Sequence, residues 1–130
     1  MKQLLPALLA AGALAAAGCS VSTPSNNRQE TITGSVAPGG THTHNYTFSQ
    51  RGESMLTITS ITPTINGSLL VGLGAVLNGS CSLFTQSIQQ VVLNRQISFG
   101  SLDQGTYCVQ FLDPGVLVTT TTYSGTFSYP

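Results

Sequence analysis

The stretch that decides the fold is GTYCVQFLDPG, residues 105–115. Apolar and polar side chains alternate along it, so that Tyr107, Val109 and Phe111 fall on one face. Successive side chains of a strand point to opposite faces, and this alternation therefore predicts a strand with one buried face. The closing Asp-Pro-Gly consists of turn-forming residues, which end the strand. We predict that this is a central strand of the domain.

The same alternation recurs along the rest of the chain, and no window of helical length repeats apolar residues at i, i+3 and i+4. The other predicted strands and inward rows are residues 31–37; residues 41–49, with His44, Tyr46 and Phe48; residues 55–61, with Leu56 and Ile58; residues 69–73, with Leu69, Val71 and Leu73; residues 91–99, as a strand pair or one bent strand; and a last row of Tyr123, Gly125, Phe127 and Tyr129. Turn signals separate them at intervals typical of sandwiches. We therefore expect an all-β protein with a single small β-sandwich of seven to eight antiparallel strands, jelly-roll-like or Ig-like.

The first residues have the organisation of an export signal. Lys2 precedes an apolar stretch, residues 4–17, which is 14 residues long. A helix that spans a bilayer takes about 20 residues, so we expect residues 1–18 to be a signal peptide that is removed. Cleavage after Ala17 would release a secreted protein, whereas cleavage after Gly18 would leave a cysteine as the first mature residue.

Ala16-Ala17-Gly18-Cys19 resembles the lipobox of bacterial lipoproteins, with an alanine where a leucine is usual. The resemblance implies that Cys19 carries a diacylglyceryl group and usually an N-acyl chain, such as palmitate, which together make a stable membrane anchor. An acylated Cys19 also explains why an exported chain has an odd number of cysteines. Ser20 stands where an inner-membrane retention signal typically has aspartate, so the resemblance implies the outer membrane in preference to the inner one.

Cys81 and Cys108 are the remaining cysteines, and we expect them to form a disulfide in an oxidising compartment. Because Tyr107 and Val109 face the core, Cys108 must point to the opposite face of its sheet. We therefore predict a disulfide from the loop after Asn78-Gly79 across the outside of the sheet, and not in the core. The alternative is two free thiols. Neither a C-x-x-C motif nor a neighbouring histidine supplies further metal ligands.

Charged residues are few and balanced, with 4 Lys+Arg and 4 Asp+Glu. No lysine follows Lys2, so the chain lacks a basic face for phosphates and we expect no nucleic-acid partner. Residues 19–30 are polar and without periodicity, which predicts a lipidated flexible tether. Residues 31–130 then form the sandwich domain.

The segment GTYCVQF, residues 105–111, resembles the G-x-Y-x-V-x-V strand of bacterial pre-peptidase C-terminal domains. Residues 56–58 and 69–73 are similar to the strands that precede it in that family, in the same order. The chain is also similar to short bacterial proteins in which such a domain stands alone. The resemblance implies a non-catalytic accessory module of the kind usually appended to secreted enzymes.

His42 and His44 are the first candidates for a metal-binding or catalytic role. At i and i+2 they share one face of a strand, as metal ligands at an exposed edge would, but no third ligand is near in sequence. The alternative is two partly buried polar aromatics. Either histidine could form a Ser/His/Asp triad with Asp103 or Asp113 as far as residue types are concerned, but no serine lies in a G-x-S-x-G elbow. We expect no enzyme activity, cofactor or metal.

The run of four threonines at residues 119–122 is predicted to be an extended edge or loop whose hydroxyls discourage strand pairing. Its alternative is a polar surface for a glycan or a protein partner. Together these features predict a non-catalytic lipoprotein of the cell envelope with a structural or protein-interaction role. The alternative function is an accessory module that binds carbohydrate or calcium.

Overall fold

Two antiparallel β-sheets face each other in the computed structural model, which describes residues 26–64 and 69–130. The described residues form the strands β1 (Arg28–Val36), β2 (Thr41–Phe48), β3 (Gly52–Thr62), β4 (Leu70–Leu77), β5 (Ser80–Leu83), β6 (Gln89–Gln90), β7 (Gln96–Leu102), β8 (Gly105–Leu112) and β9 (Thr121–Tyr129), with a short 3₁₀ turn at Thr85–Ser87. The all-β prediction is confirmed. β5 and β6 both pair with β4 as one interrupted edge strand, so the sandwich has eight strand positions.

The strand order is that of a jelly roll. Sheet A has the order β1-β9-β3-β7, and sheet B has the order β2-β8-β4-β5, with β6 also on β4. Only the connections from β4 to β5 and from β5 to β6 stay within one sheet, and every other connection passes from one sheet to the other. This alternation defines a jelly roll and differs from the Ig-like order, so the first of the two predicted architectures is correct.

The two ends of the sandwich have different roles in the chain path. The pairings Val36↔Thr121 and Thr41↔Leu112 place the connections that leave β1 and β8 at one end, which we call the loop end. Gln90 pairs with Leu70, which also pairs with Leu112, so the connection from β6 to β7 starts there too. The chain reaches β1 at the opposite end, which we call the N-terminal end.

The core lies between the sheets and combines twelve residues of the predicted inward rows with six that those rows did not include, Ile32, Val36, Ile61, Val91, Ile97 and Leu117. Its buried members are Ile32, Val36, Tyr46, Phe48, Leu56, Ile58, Ile61, Leu69, Val71, Leu73, Val91, Ile97, Val109, Phe111, Leu117, Tyr123, Phe127 and Tyr129. Gly125 continues the β9 row without a side chain because the neighbouring strand β3 approaches it closely: a Cβ there would be 2.1 Å from the Thr57 carbonyl oxygen. The burial of these apolar side chains is the main favourable contribution to folding.

Some predicted boundaries are wrong, for physical reasons that the structure makes plain. β1 begins at Arg28, inside the segment predicted as tether, because an edge strand needs only one partner and its polar side chains stay in water. In the range 91–99, predicted as a strand pair or one bent strand, residues 91–95 form a loop and β7 begins at Gln96, since Val91 is the only buried residue of the five in the loop. Thr121 begins β9, an interior strand, while Thr119 lies in the preceding loop.

Candidate functional site

The disulfide joins Cys81 of β5 to Cys108 of β8, with their Cα atoms 5.8 Å apart. Both strands are partners of β4, one on each side, so the bond crosses over β4. Gly74 of β4 makes this approach feasible: a Cβ there would lie 2.2 Å from the Ser82 carbonyl oxygen. β5 can therefore fold over β4 toward β8 only because residue 74 has no side chain.

The predicted pairing and its placement on the outer face of the sheet are confirmed. Cys108 is fully buried, but the overlying strand β5 covers it, and it is not part of the core cluster. Cys81 lies in a strand and not in the predicted loop. In the chain-entropy model, closing a loop of 27 residues stabilises the fold by about 3–4 kcal/mol.

His42 and His44 lie on β2 and face the space between the sheets at its β1–β2 edge. Their rings stack with centroids 4.7 Å apart. The His42 Nδ1 is 3.1 Å from the Ser35 carbonyl oxygen, and the His44 Nε2 is 2.6 Å from the Tyr123 hydroxyl. Burial, together with the neighbouring His42, lowers the pKa of His44. The pair thus closes an edge of the core. Its environment fits the second of the two interpretations of the sequence, two partly buried polar aromatics.

Asp113 holds two loops of the loop end together. Its carboxylate accepts backbone N–H bonds from Gly39 at 2.7 Å and from Gly115, Val116 and Leu117 at 3.0, 2.8 and 3.1 Å. Partial desolvation alone would raise the pKa of Asp113, but these four donors outweigh it and the pKa is lowered. The carboxylate is therefore an ionised anchor for the backbone.

The other predicted candidates are also separated by the fold. Asp103 pairs with Arg51 at the N-terminal end, where both side chains are exposed. Within residues 26–64 and 69–130, neither histidine is hydrogen-bonded to an aspartate, and no three His, Cys, Asp or Glu side chains cluster as metal ligands do. The described residues also contain no helix with the length and hydropathy to cross a bilayer. Cys19 lies outside the described residues.

A cleft that sequence reasoning missed lies along the opposite edge of the sandwich, between the 3₁₀ turn, β6 and β7. Its volume is about 270 Å³. We call it the β6–β7 cleft; its lining residues are Phe84, Gln86, Ser87, Gln89, Ser98 and Phe99. These residues come from two sheets, and only the crossing from β6 to β7 brings them together. The interruption between β5 and β6, visible as the loss of alternation after Leu83, is the one local signal.

No family model matches the chain, and no curated protein is significantly similar to it.

Proposed function

We propose that this chain is a non-catalytic lipoprotein of the cell envelope, held to a membrane through an acylated Cys19. Its jelly roll, in this proposal, has a structural or protein-interaction role and is a stand-alone relative of the pre-peptidase C-terminal domains. The observation that carries the proposal is the pairing of the cysteines. Cys81 and Cys108 are bonded to each other, and the third cysteine of an exported protein then requires its own chemical role.

The direction of the chain supports an interaction role. Residues 20–27 would connect the anchor to β1 at the N-terminal end, so the loop end would face away from the membrane. Val116 and Val118 are exposed there, the latter at 95%. A protein partner that covered these two side chains would remove apolar surface from water, which favours association.

The environments of the titratable groups support a non-catalytic role. His44 bonds to Tyr123 and Asp113 to backbone amides, so each has a structural partner in place of a catalytic one. Glu30 likewise accepts a hydrogen bond of 2.6 Å from the Tyr129 hydroxyl. General acid–base catalysis needs such groups to converge on a substrate, and these are distributed over the sandwich.

The anchor is tested with Cys19→Ser. We expect the variant to lose metabolic labelling with palmitate and to leave the membrane fraction, because no other residue supplies the acylated thiol. The matched control is the Cys81→Ala, Cys108→Ala double variant, which should keep both the label and the membrane association. Persistent palmitate labelling of Cys19→Ser would refute the anchor.

The sorting is tested with Ser20→Asp in a host with two membranes. We expect the variant to move from the outer to the inner membrane in density-gradient fractionation, with Ser20→Ala unchanged.

The interaction role is tested in the same cells with a photo-cross-linking residue at position 118 and, as the control, at position 33 on the outer face of sheet A. Equal cross-linking at both positions would contradict a partner at the loop end.

A further inference from the structure

The β6–β7 cleft has the composition of a ligand site. Phe84 and Phe99 pack against the core, and both rings remain partly exposed. Phe84 meets Tyr107 edge-on, and Phe99 meets Phe127 edge-on, each with ring centroids 6.5 Å apart. Each ring is therefore supported from within, so the cleft has a rigid aromatic lining that does not depend on a ligand.

The polar side chains of the cleft divide into a structural group and a free group. The Ser87 hydroxyl is committed: it accepts from the Leu73 N–H at 2.9 Å and lies within hydrogen-bonding distance of the Leu73 and Phe84 carbonyl oxygens. It thereby fills the gap in the ladder between β5 and β6. The amides of Gln86 and Gln89 have no such bonds within the described part of the chain, and both are available to a ligand.

The charge of the lining limits the ligand to a neutral molecule. None of the six lining residues is charged. A charged ligand would lose hydration in the cleft without gaining an ionic partner, which is unfavourable. The volume of about 270 Å³ lies below the range of about 300–1,000 Å³ that is usual for drug-sized ligands. The occupant is therefore small, neutral and partly apolar, with several hydrogen-bonding groups.

We propose that the β6–β7 cleft binds one neutral pyranose unit of a glycan. A pyranose has apolar C–H faces that pack on aromatic rings and equatorial hydroxyls that pair with amides, which both donate and accept. Phe84 and Phe99 supply the aromatic contacts, and Gln86 and Gln89 supply the amides. The open side of the cleft leaves room for the rest of the glycan. This site does not depend on the proposed anchor.

The test is a titration of the full-length Cys19→Ser chain, labelled with ¹⁵N, and followed by NMR. The probes are cellotriose and chitotriose, which share neutral β-linked pyranose rings and differ in their acetamido groups. We expect saturable shifts at the amides of the cleft, with a dissociation constant on the order of 1 mM for so small a contact. Preference between the probes would identify a plain glucan or an N-acetylated glycan as the source of the ring.

Variants connect the binding to the proposed contacts. Gln86→Ala and Gln89→Ala should each weaken binding by about 3–10-fold, the value of one hydrogen bond. Phe99→Ala should weaken it by about tenfold. The matched control is Gln96→Ala, which removes the same amide from β7 but lies on the outer face of sheet A with Thr57 and Thr126, and it should bind as the parent does.

Several outcomes would overturn the proposal. The first is the absence of saturable shifts with both sugars, and the second is equal weakening by Gln96→Ala and Gln89→Ala. Tighter binding of trigalacturonate, or of a blocked trialanine peptide, than of either neutral sugar would assign the cleft to another ligand class. Since the glutamines are at least partly exposed, their replacement leaves the core intact, and the test remains valid if Phe99→Ala is unstable.

Discussion

The two lateral edges of this sandwich are built from the same kinds of residue and have opposite characters. At the β1–β2 edge, Tyr46 and Tyr123 are buried between the sheets, and the two histidines complete the packing. At the β6–β7 edge, Phe84 and Phe99 line the space between the sheets without filling it, and a cleft remains. One edge is closed and the other is open.

The difference arises from strand continuity and hydrogen bonding. At the closed edge, β1 and β2 are long strands, and two tyrosine hydroxyls are hydrogen-bonded: Tyr123 bonds to His44, and Tyr129 bonds to Glu30. Burial, with the nearby Glu30 and Tyr129, raises the pKa of Tyr46 to about 12. At the open edge, the 3₁₀ turn interrupts the last strand of sheet B. In this jelly roll one edge is therefore packed as part of the core, while the other keeps a cleft.

The largest expected effect compares one ring from each edge. Phe48→Ala removes a fully buried ring from the closed edge and should lower the free energy of unfolding by about 3–5 kcal/mol. Phe99→Ala removes a partly exposed ring from the open edge and should cost about 1–2 kcal/mol, since less apolar area returns to water. Urea unfolding measures both. Equal losses would mean that the two edges do not differ in packing.

The disulfide gives the next largest effect and acts on the open edge, because Cys81 belongs to β5. The Cys81→Ala, Cys108→Ala variant should lose about 3–4 kcal/mol of stability. Amide hydrogen exchange should show that β5 and β6 lose protection before β1 and β2 do. Uniform loss of protection over both edges would contradict this order.

Gly34→Ala tests how tightly the closed edge is packed. The new Cβ would lie 2.5 Å from the Tyr123 hydroxyl oxygen and 3.0 Å from the His42 Cε1. We expect a loss of about 1–3 kcal/mol, typical of overpacking, and a shift in the tyrosine ring resonances. The control is Thr33→Ala, whose side chain is exposed on the outer face. A neutral result for Gly34→Ala would show that this edge is loosely packed.

The smallest expected effect is the pH dependence of the closed edge. Because the pKa of His44 is lowered from 6.5 in the folded state, folding favours the neutral imidazole. The stability that His44 contributes is full above pH 6.5 and is lost as the pH falls through the lowered pKa. Thermal unfolding should therefore show a decrease in Tm below pH 6.5 that His44→Gln reduces. Parallel decreases in both proteins would assign the effect to other groups.

The sequence predicted the parts of the protein that depend on local periodicity. Val109 and Phe111 are buried as their alternation requires, and Cys108 points to the other face for the same reason. The order of inward rows was sufficient to predict a sandwich. The boundary at Arg28 was not predictable in this way, because a polar edge strand and a polar tether have the same composition.

The hydrogen-bond partners of the candidate side chains are set by contacts between strands that are distant in sequence. The spacing of His42 and His44 places them on one face of β2, and this much follows from sequence alone. Their partners, Ser35 and Tyr123, come from β1 and β9 and could not be inferred from spacing. The same holds for Asp113, whose turn was predicted but whose bond to Gly39 spans 74 positions.

The amino-acid sequence by itself determined the all-β class and most of the inward rows, and it predicted the pairing of Cys81 with Cys108. Each of these follows from alternation or from counting, which are local properties. Only the tertiary structure decided the jelly-roll order, the passage of β5 over Gly74 and the contrast between a closed edge and an open one. These depend on which strands become neighbours across the core, and period-two alternation is the same for every strand that faces it.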